Sequence, residues 1–104
     1  MKPHGIVAEA LAELDEAAVW YEEQRAGLGA ALIAEYRDRL ALALEMPKSG
    51  SPAGATPGGS EIRRFRLERF SRYAILLATI RGIPTVLAFE HSSRRPGYWR
   101  VRLG

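Results

Sequence analysis

The densest run of reactive side chains in this sequence is Glu90-His91-Ser92-Ser93-Arg94-Arg95-Pro96-Gly97-Tyr98-Trp99-Arg100. An imidazole can exchange a proton near neutral pH, guanidinium groups can neutralise a phosphate, and aromatic rings can stack on bases. The structural alternative is that Tyr98 and Trp99 seal a sheet edge while Arg94 and Arg95 stay solvated. A second basic set, Arg63, Arg64, Arg66 and Arg69, lies upstream. No P-loop, dinucleotide fingerprint, nucleophile elbow or paired-histidine zinc motif is present. The only histidines are His4 and His91, and there is no cysteine. Disulfides and thiolate metal sites are therefore excluded, a multi-histidine metal site is not available from one chain, and no metal or cofactor is expected.

The formal net charge of +3 hides a sharp division. Residues 1–47 carry four basic groups, Lys2, Arg25, Arg37 and Arg39, against nine acidic ones, a balance of −5. Residues 48–104 carry eleven basic groups, ten of them arginine, against Glu61, Glu68 and Glu90, a balance of +8. Such asymmetry points to an anionic partner for the C-terminal half, either nucleic acid or an acidic protein segment. Arginine's planar fork suits bidentate contacts to phosphate or carboxylate. The plain alternative is a solvated face that keeps the chain in solution.

The elements that must position these groups follow from hydrophobic periodicity. Residues 8–24 predict a helix with Leu11, Leu14, Ala18 and Tyr21 on one face, and Glu9, Glu13, Asp15 and Glu16 crowd its early turns, where the helix dipole favours carboxylates. Gly27 and Gly29 punctuate. A second helix, Leu28 to Met46, carries Leu32, Ile33, Tyr36, Leu40 and Leu44 and stops at Pro47. The pair should form an antiparallel hairpin, with Trp20 and Tyr21 packed in or near it. Residues 47–60 hold three prolines and four glycines and predict a loop with neither helix nor ladder.

Beyond that loop the period becomes two. Residues 62–67 place Phe65 and Leu67 on one side and Arg64 and Arg66 on the other. Tyr73–Ile80 reads as a central strand, Arg81-Gly82 as a turn and Thr85–His91 as a third strand, with a brief N-terminal strand around Gly5 to Val7. The expected architecture is one α+β domain over 1–104, a helical hairpin on a small, mostly antiparallel three- to four-stranded sheet. No run approaches the roughly 18 apolar residues of a membrane span, and the N-terminus lacks a signal-peptide core. A soluble cytoplasmic protein, with no membrane partner, is expected.

The segment from Ala10 to Gln24, followed by Gly27-Leu28-Gly29, resembles the first helix and turn of the RelE/ParE toxin superfamily. Ile62-Arg63-Arg64, Tyr73 and His91-x-x-Arg94-Arg95-Pro96-Gly97-Tyr98-Trp99 follow in the same order as in those toxins, so the likeness spans nearly the whole chain. It implies two N-terminal helices on an antiparallel sheet and a cognate antitoxin whose extended or helical segment wraps the toxin in a hetero-oligomer. RelE-like members cut messenger RNA on the ribosome, whereas ParE-like members poison DNA gyrase.

Cleavage needs a 2′-hydroxyl deprotonated, a phosphate stabilised and a leaving oxygen protonated. By strand position Arg64 and Arg66 occupy the places of the nuclease lysines, yet a guanidinium is a poor general base. Ala74 stands where nuclease members begin the middle strand with arginine. If the chain is a nuclease, His91, Arg64, Arg66 and Tyr98 are the catalytic candidates, His91 pairing with Glu90 or Glu68. The Tyr98-Trp99 ending after Arg95-Pro96-Gly97 is similar to the ParE branch, which needs a binding surface and no catalytic set. On that reading Arg63, Arg64, Arg66, Arg69, Arg94, Arg95, Tyr98 and Trp99 meet antitoxin or target, and gyrase poisoning is favoured. Ribosome-dependent RNA cleavage is the alternative, and a basic nucleic-acid-binding module without toxicity is the second.

Overall fold

A computed structural model describes residues 1–103. Helix α1 spans Ala8–Gln24 and α2 spans Leu28–Glu45. Gly27, at φ 92°, turns the chain between them, a conformation open to glycine at little cost. The Glu22 carboxylate accepts the Gly27 and Gly29 amides at 2.9 and 3.0 Å, filling the N-terminus of α2. A Cβ on Gly29 would lie 2.5 Å from the Ala18 carbonyl oxygen, so the helices meet closely there.

The inward face of α2 is the predicted one, with Leu32, Tyr36, Leu40 and Leu44 buried beside Ala43. The face of α1 is rotated from expectation. Ala10, Leu14 and Ala17 are buried, whereas Leu11 is exposed. Small alanines let α1 approach both α2 and the sheet, so the position of the neighbours, not the largest side chain, sets the rotation. Tyr21 packs against the core, edge-on to Phe70, but Trp20 is exposed and lies outside the hairpin interior.

The sheet has five strands, more than the three to four predicted: β1 (Gly5–Ile6), β2 (Ser51–Ala55), β3 (Glu61–Arg66), β4 (Tyr73–Ile80) and β5 (Ile83–His91), in the order β1-β5-β4-β3-β2. Only β1 runs parallel to its neighbour. The additional strand comes from the segment expected to be a loop. Pro47–Ser49 makes one 3₁₀ turn, and β2 pairs with β3 from Ser51↔Arg64 to Ala55↔Glu61. Pro52 is tolerated because an edge strand leaves one side of its ladder unpaired, and the register slips between Pro52 and Gly54, where Gly54 has φ 134°. Composition forbade a central strand, not an edge one.

Arg81 and Gly82 form the β4–β5 turn with φ of 52° and 79°, the doubly positive geometry that matches the twist of a two-residue hairpin. In β5 the pairing steps from Leu76↔Ala88 to Leu77↔Val86, leaving Leu87 as a bulge. Val86 consequently faces the helices, while Leu87 and Ala88 join a second core with Ile62, Leu76 and Trp99 on the opposite face. A final 3₁₀ segment, Tyr98–Leu103, lies over that face.

Candidate functional site

Strand alternation divides the upstream arginines. Ile62 belongs to the core beneath the C-terminal segment and Phe65 to the core beneath the helices. Arg64 and Arg66 therefore share the face of Ile62, while Arg63 shares that of Phe65. Arg63 pairs with Glu61 and donates to the Gly50 carbonyl at 2.6 Å, so the sheet separates it from the other two.

Arg64 and Arg66, on the face away from the helices, line a hollow of about 180 Å³ with Arg72, Ser92 and Arg94, and His91 reaches its rim from the helix side. Its opening depends on Ala74, which opposes Arg66 on one side and Glu90 on the other. Arg64 is already committed: its Nε and Nη2 donate to Glu90 at 2.8 and 3.3 Å. Glu90 Oε2 also accepts the Trp99 indole N–H at 3.2 Å. Arg66 makes one long contact to the Ser71 carbonyl, 3.3 Å, and remains exposed. Arg72 and Arg95 are exposed and make no ion pair among the described residues. With Arg64 and Glu90 cancelling, Arg66, Arg72 and Arg94 leave the hollow strongly positive, a geometry suited to phosphate or carboxylate.

Arg69 sits apart on the β3–β4 turn, its guanidinium 5.3 Å from the Phe70 ring centroid. That turn is held by Glu35 of α2, which accepts the amides of Glu68, Arg69 and Phe70 at 2.9, 2.9 and 3.1 Å. Burial works against the Glu35 charge, but these amide bonds outweigh it and hold the carboxyl below the usual carboxylate range.

The C-terminal aromatics have structural duties. Trp99 is 1% exposed and fills the second core, so it offers no ring to a base, and for this residue the sealing role is the observed one. The Tyr98 hydroxyl donates to Glu13 Oε2 at 2.6 Å. Glu13 also accepts Arg102 at 2.8 and 3.0 Å and the Phe89 amide at 3.1 Å. Arg102 in turn donates to the Leu87 carbonyl at 2.9 Å. Burial opposes the Glu13 charge, yet the bonds from Arg102, Tyr98 and Phe89 and the charge of Arg102 keep its carboxyl below the usual range. Burial, the bond to Glu13 and the Glu13 charge push the Tyr98 hydroxyl well above an ordinary phenol.

These contacts bear on proton transfer. His91 Nδ1 accepts the Ser93 amide at 3.0 Å and lies 2.7 Å from Ser93 Oγ, which places the neutral ring's proton on Nε2. Its ring rests edge-on against Tyr73, centroids 4.9 Å apart. Neither Glu90 nor Glu68 is its partner: Glu90 is bound to Arg64 and Trp99, and Glu68 is exposed on the β3–β4 turn. The expected His91–carboxylate pair is therefore not assembled.

Sequence reasoning missed Glu13, Glu35, Arg72 and Arg102. Arg72 carried a usable signal, standing beside Tyr73 at the start of a recognisable central strand. The two glutamates carried none, because their partners are 76 and 33 or more positions away. Among the described residues no group of three or more His, Cys, Asp or Glu side chains is placed to hold a metal ion, and no helix is long and apolar enough to cross a membrane. No family model matches the chain, and no curated protein matches it.

Proposed function

We propose that this chain is the toxin of a bacterial type II toxin–antitoxin pair of the RelE/ParE kind, acting in the cytoplasm by binding and poisoning DNA gyrase. The observation that carries the reading is the positive hollow around Ala74, beside which no acid–base pair is assembled among the described residues. Tyr98 is bound to Glu13, and among the described residues His91 pairs with no carboxylate. Such a surface favours binding over acid–base chemistry. The cognate antitoxin supplies an acidic, initially disordered segment that orders over Arg66, Arg72 and Arg94 in a hetero-oligomer.

Ribosome-dependent RNA cleavage is the second reading, favoured by one feature: His91 lies on the rim of the same hollow as four arginines. Pulse-labelling of DNA and protein synthesis, minutes after inducing the chain without antitoxin, separates the two. Early failure of DNA synthesis supports gyrase poisoning, to be followed by a supercoiling assay. Early failure of protein synthesis replaces it with RNA cleavage. Continued growth with folded chain present would leave only a non-toxic nucleic-acid-binding module.

A further inference from the structure

A second surface lies on the acidic half, on the other side of Arg94 from the hollow. Residues 8–24 contain six carboxylates and no lysine or arginine. Glu13 and Glu22 are bonded internally, whereas Glu9, Asp15, Glu16 and Glu23 are exposed and in no ion pair among the described residues. Trp20 and Val19, 55% and 60% exposed, stand among them. Trp20 and Glu16 line a cleft of about 260 Å³ with Tyr73, His91, Arg94 and Tyr98. The same two residues line a shallow depression on the outer side of α1 with Asp15, Val19 and Glu23. The two hollows adjoin at Glu16 and Trp20, and together they make a grooved surface that is aromatic at its inner end and acidic on its outer side.

The inner end already holds a cation from this chain. The Arg94 guanidinium lies 4.0 Å from the Tyr98 ring centroid and 3.8 Å from Glu13 Oε2, a position suited to a guanidinium because the ring face and the carboxylate both attract it. Arg94 is nevertheless half-exposed and its pairing is long, so it is a loosely held occupant.

We propose that this groove docks a basic, extended segment of a partner protein, with an arginine or lysine entering between Trp20, Glu16 and Tyr98 and an apolar neighbour lying on Val19. Charge complementarity selects this occupant, since the groove presents unpaired carboxylates beside exposed apolar and aromatic surface. A second copy of the chain is less suited. Its basic face would meet this groove head to tail, a heterologous contact that builds rings or filaments and not the two-fold dimer commonest among soluble oligomers. The surface adjoins the arginine hollow, with which it shares His91 and Arg94, but its basic occupant does not depend on the toxin reading.

The test titrates the full chain with a short amidated peptide of alternating arginine and leucine, and with the same peptide carrying glutamate in place of arginine. Trp20 is the exposed tryptophan and Trp99 the buried one, so a change in emission that Trp20→Phe abolishes reports on the groove. Only the arginine peptide should bind saturably. By calorimetry, Trp20→Phe and Glu16→Gln, both at exposed positions, should each weaken it about tenfold. Arg94→Ala should strengthen binding by vacating the cleft, and Arg95→Ala, the same change of charge outside it, should not. Equal effects of Arg94→Ala and Arg95→Ala, or indifference to Trp20→Phe and Glu16→Gln, would reduce the binding to general attraction and overturn the proposal. So would a concentration-dependent emission change without peptide, which would assign the groove to self-association.

Discussion

Arginine does opposite work in two adjoining regions of this molecule. In the knot formed by Glu13, Tyr98 and Arg102, a guanidinium is 9% exposed, bidentate on a carboxylate and bonded to a main-chain carbonyl. In the hollow beyond Tyr98, Arg66, Arg72 and Arg94 are exposed, and the polar contacts of their side chains are long, although Arg94 also lies over the Tyr98 ring. The knot ties the C-terminal segment to α1 and to β5 across nearly the whole length of the chain. It leaves its members little freedom to act on anything else. The hollow keeps charge unspent because, among the described residues, no acidic side chain pairs with Arg66 or Arg72. Commitment of the partner, more than residue type, separates a structural arginine from a binding one.

The largest effect expected from breaking this contrast is on the knot. Glu13→Ala leaves the Tyr98 hydroxyl without its acceptor and a largely buried Arg102 without its counter-charge, with only the Leu87 carbonyl to receive it. It should lower stability by about 3 kcal/mol, read as a fall in the urea midpoint at unchanged slope. Arg66→Glu with Arg72→Glu, both on the surface, should change stability by no more than about 0.5 kcal/mol. The same pair should abolish growth arrest or antitoxin capture. A double variant that unfolds, or one that keeps both toxicity and antitoxin affinity, would erase the distinction between the two regions.

Acid sharpens the contrast next. Glu13 and Glu35 titrate below their ordinary range in the folded chain. Their stabilisation is present above the unfolded-state pKa of about 4.5 and lost as pH falls through the folded values. Glu35→Gln should therefore flatten the acid limb of the stability–pH curve while lowering stability near neutrality. An unaltered acid limb would show that the three amide bonds to Glu35 contribute little. At the alkaline end Tyr98 has the reverse sign: its raised pKa adds stability below about pH 10 that is lost as the hydroxyl ionises. Tyr98→Phe should remove that loss.

The smallest expected change distinguishes the arginines by location. Arg63→Ala should leave capture of an acidic partner by the hollow within about twofold of the unmodified chain, because Arg63 lies across the sheet beside Glu61. Titration of the cognate antitoxin, monitored by calorimetry, would check it. A loss matching that of Arg66→Glu would mean that the partner wraps both faces.

Much of the fold was legible because it rests on short-range patterns. The α1 bounds, α2 to within one residue, the span of β4 and the Arg81-Gly82 turn all follow from periodicity and glycine placement. Strand β2 was hidden because Pro52 and Gly54 argue against a strand wherever the neighbours are unknown, and only an edge position makes them tolerable. The rotation of α1 was hidden for a related reason. Ala10 and Ala17 are inward because a helix and a sheet crowd them, while Leu11, the larger residue, points out.

The candidate sites show where the information divides. The sequence by itself determined that an acidic half precedes an arginine-rich half, that one chain supplies neither a thiolate nor a multi-histidine metal site, and that two helices precede a mostly antiparallel sheet. Each of these depends on composition or on residues a few positions apart. Only the tertiary structure decided that Arg63 is severed from Arg64, that Trp99 is core, that Tyr98 is locked to Glu13, and that Arg72 joins the hollow. Those outcomes depend on which side of the sheet a residue meets and which distant partner reaches it, and for Arg63 and Arg64 a one-residue change of register would exchange the faces.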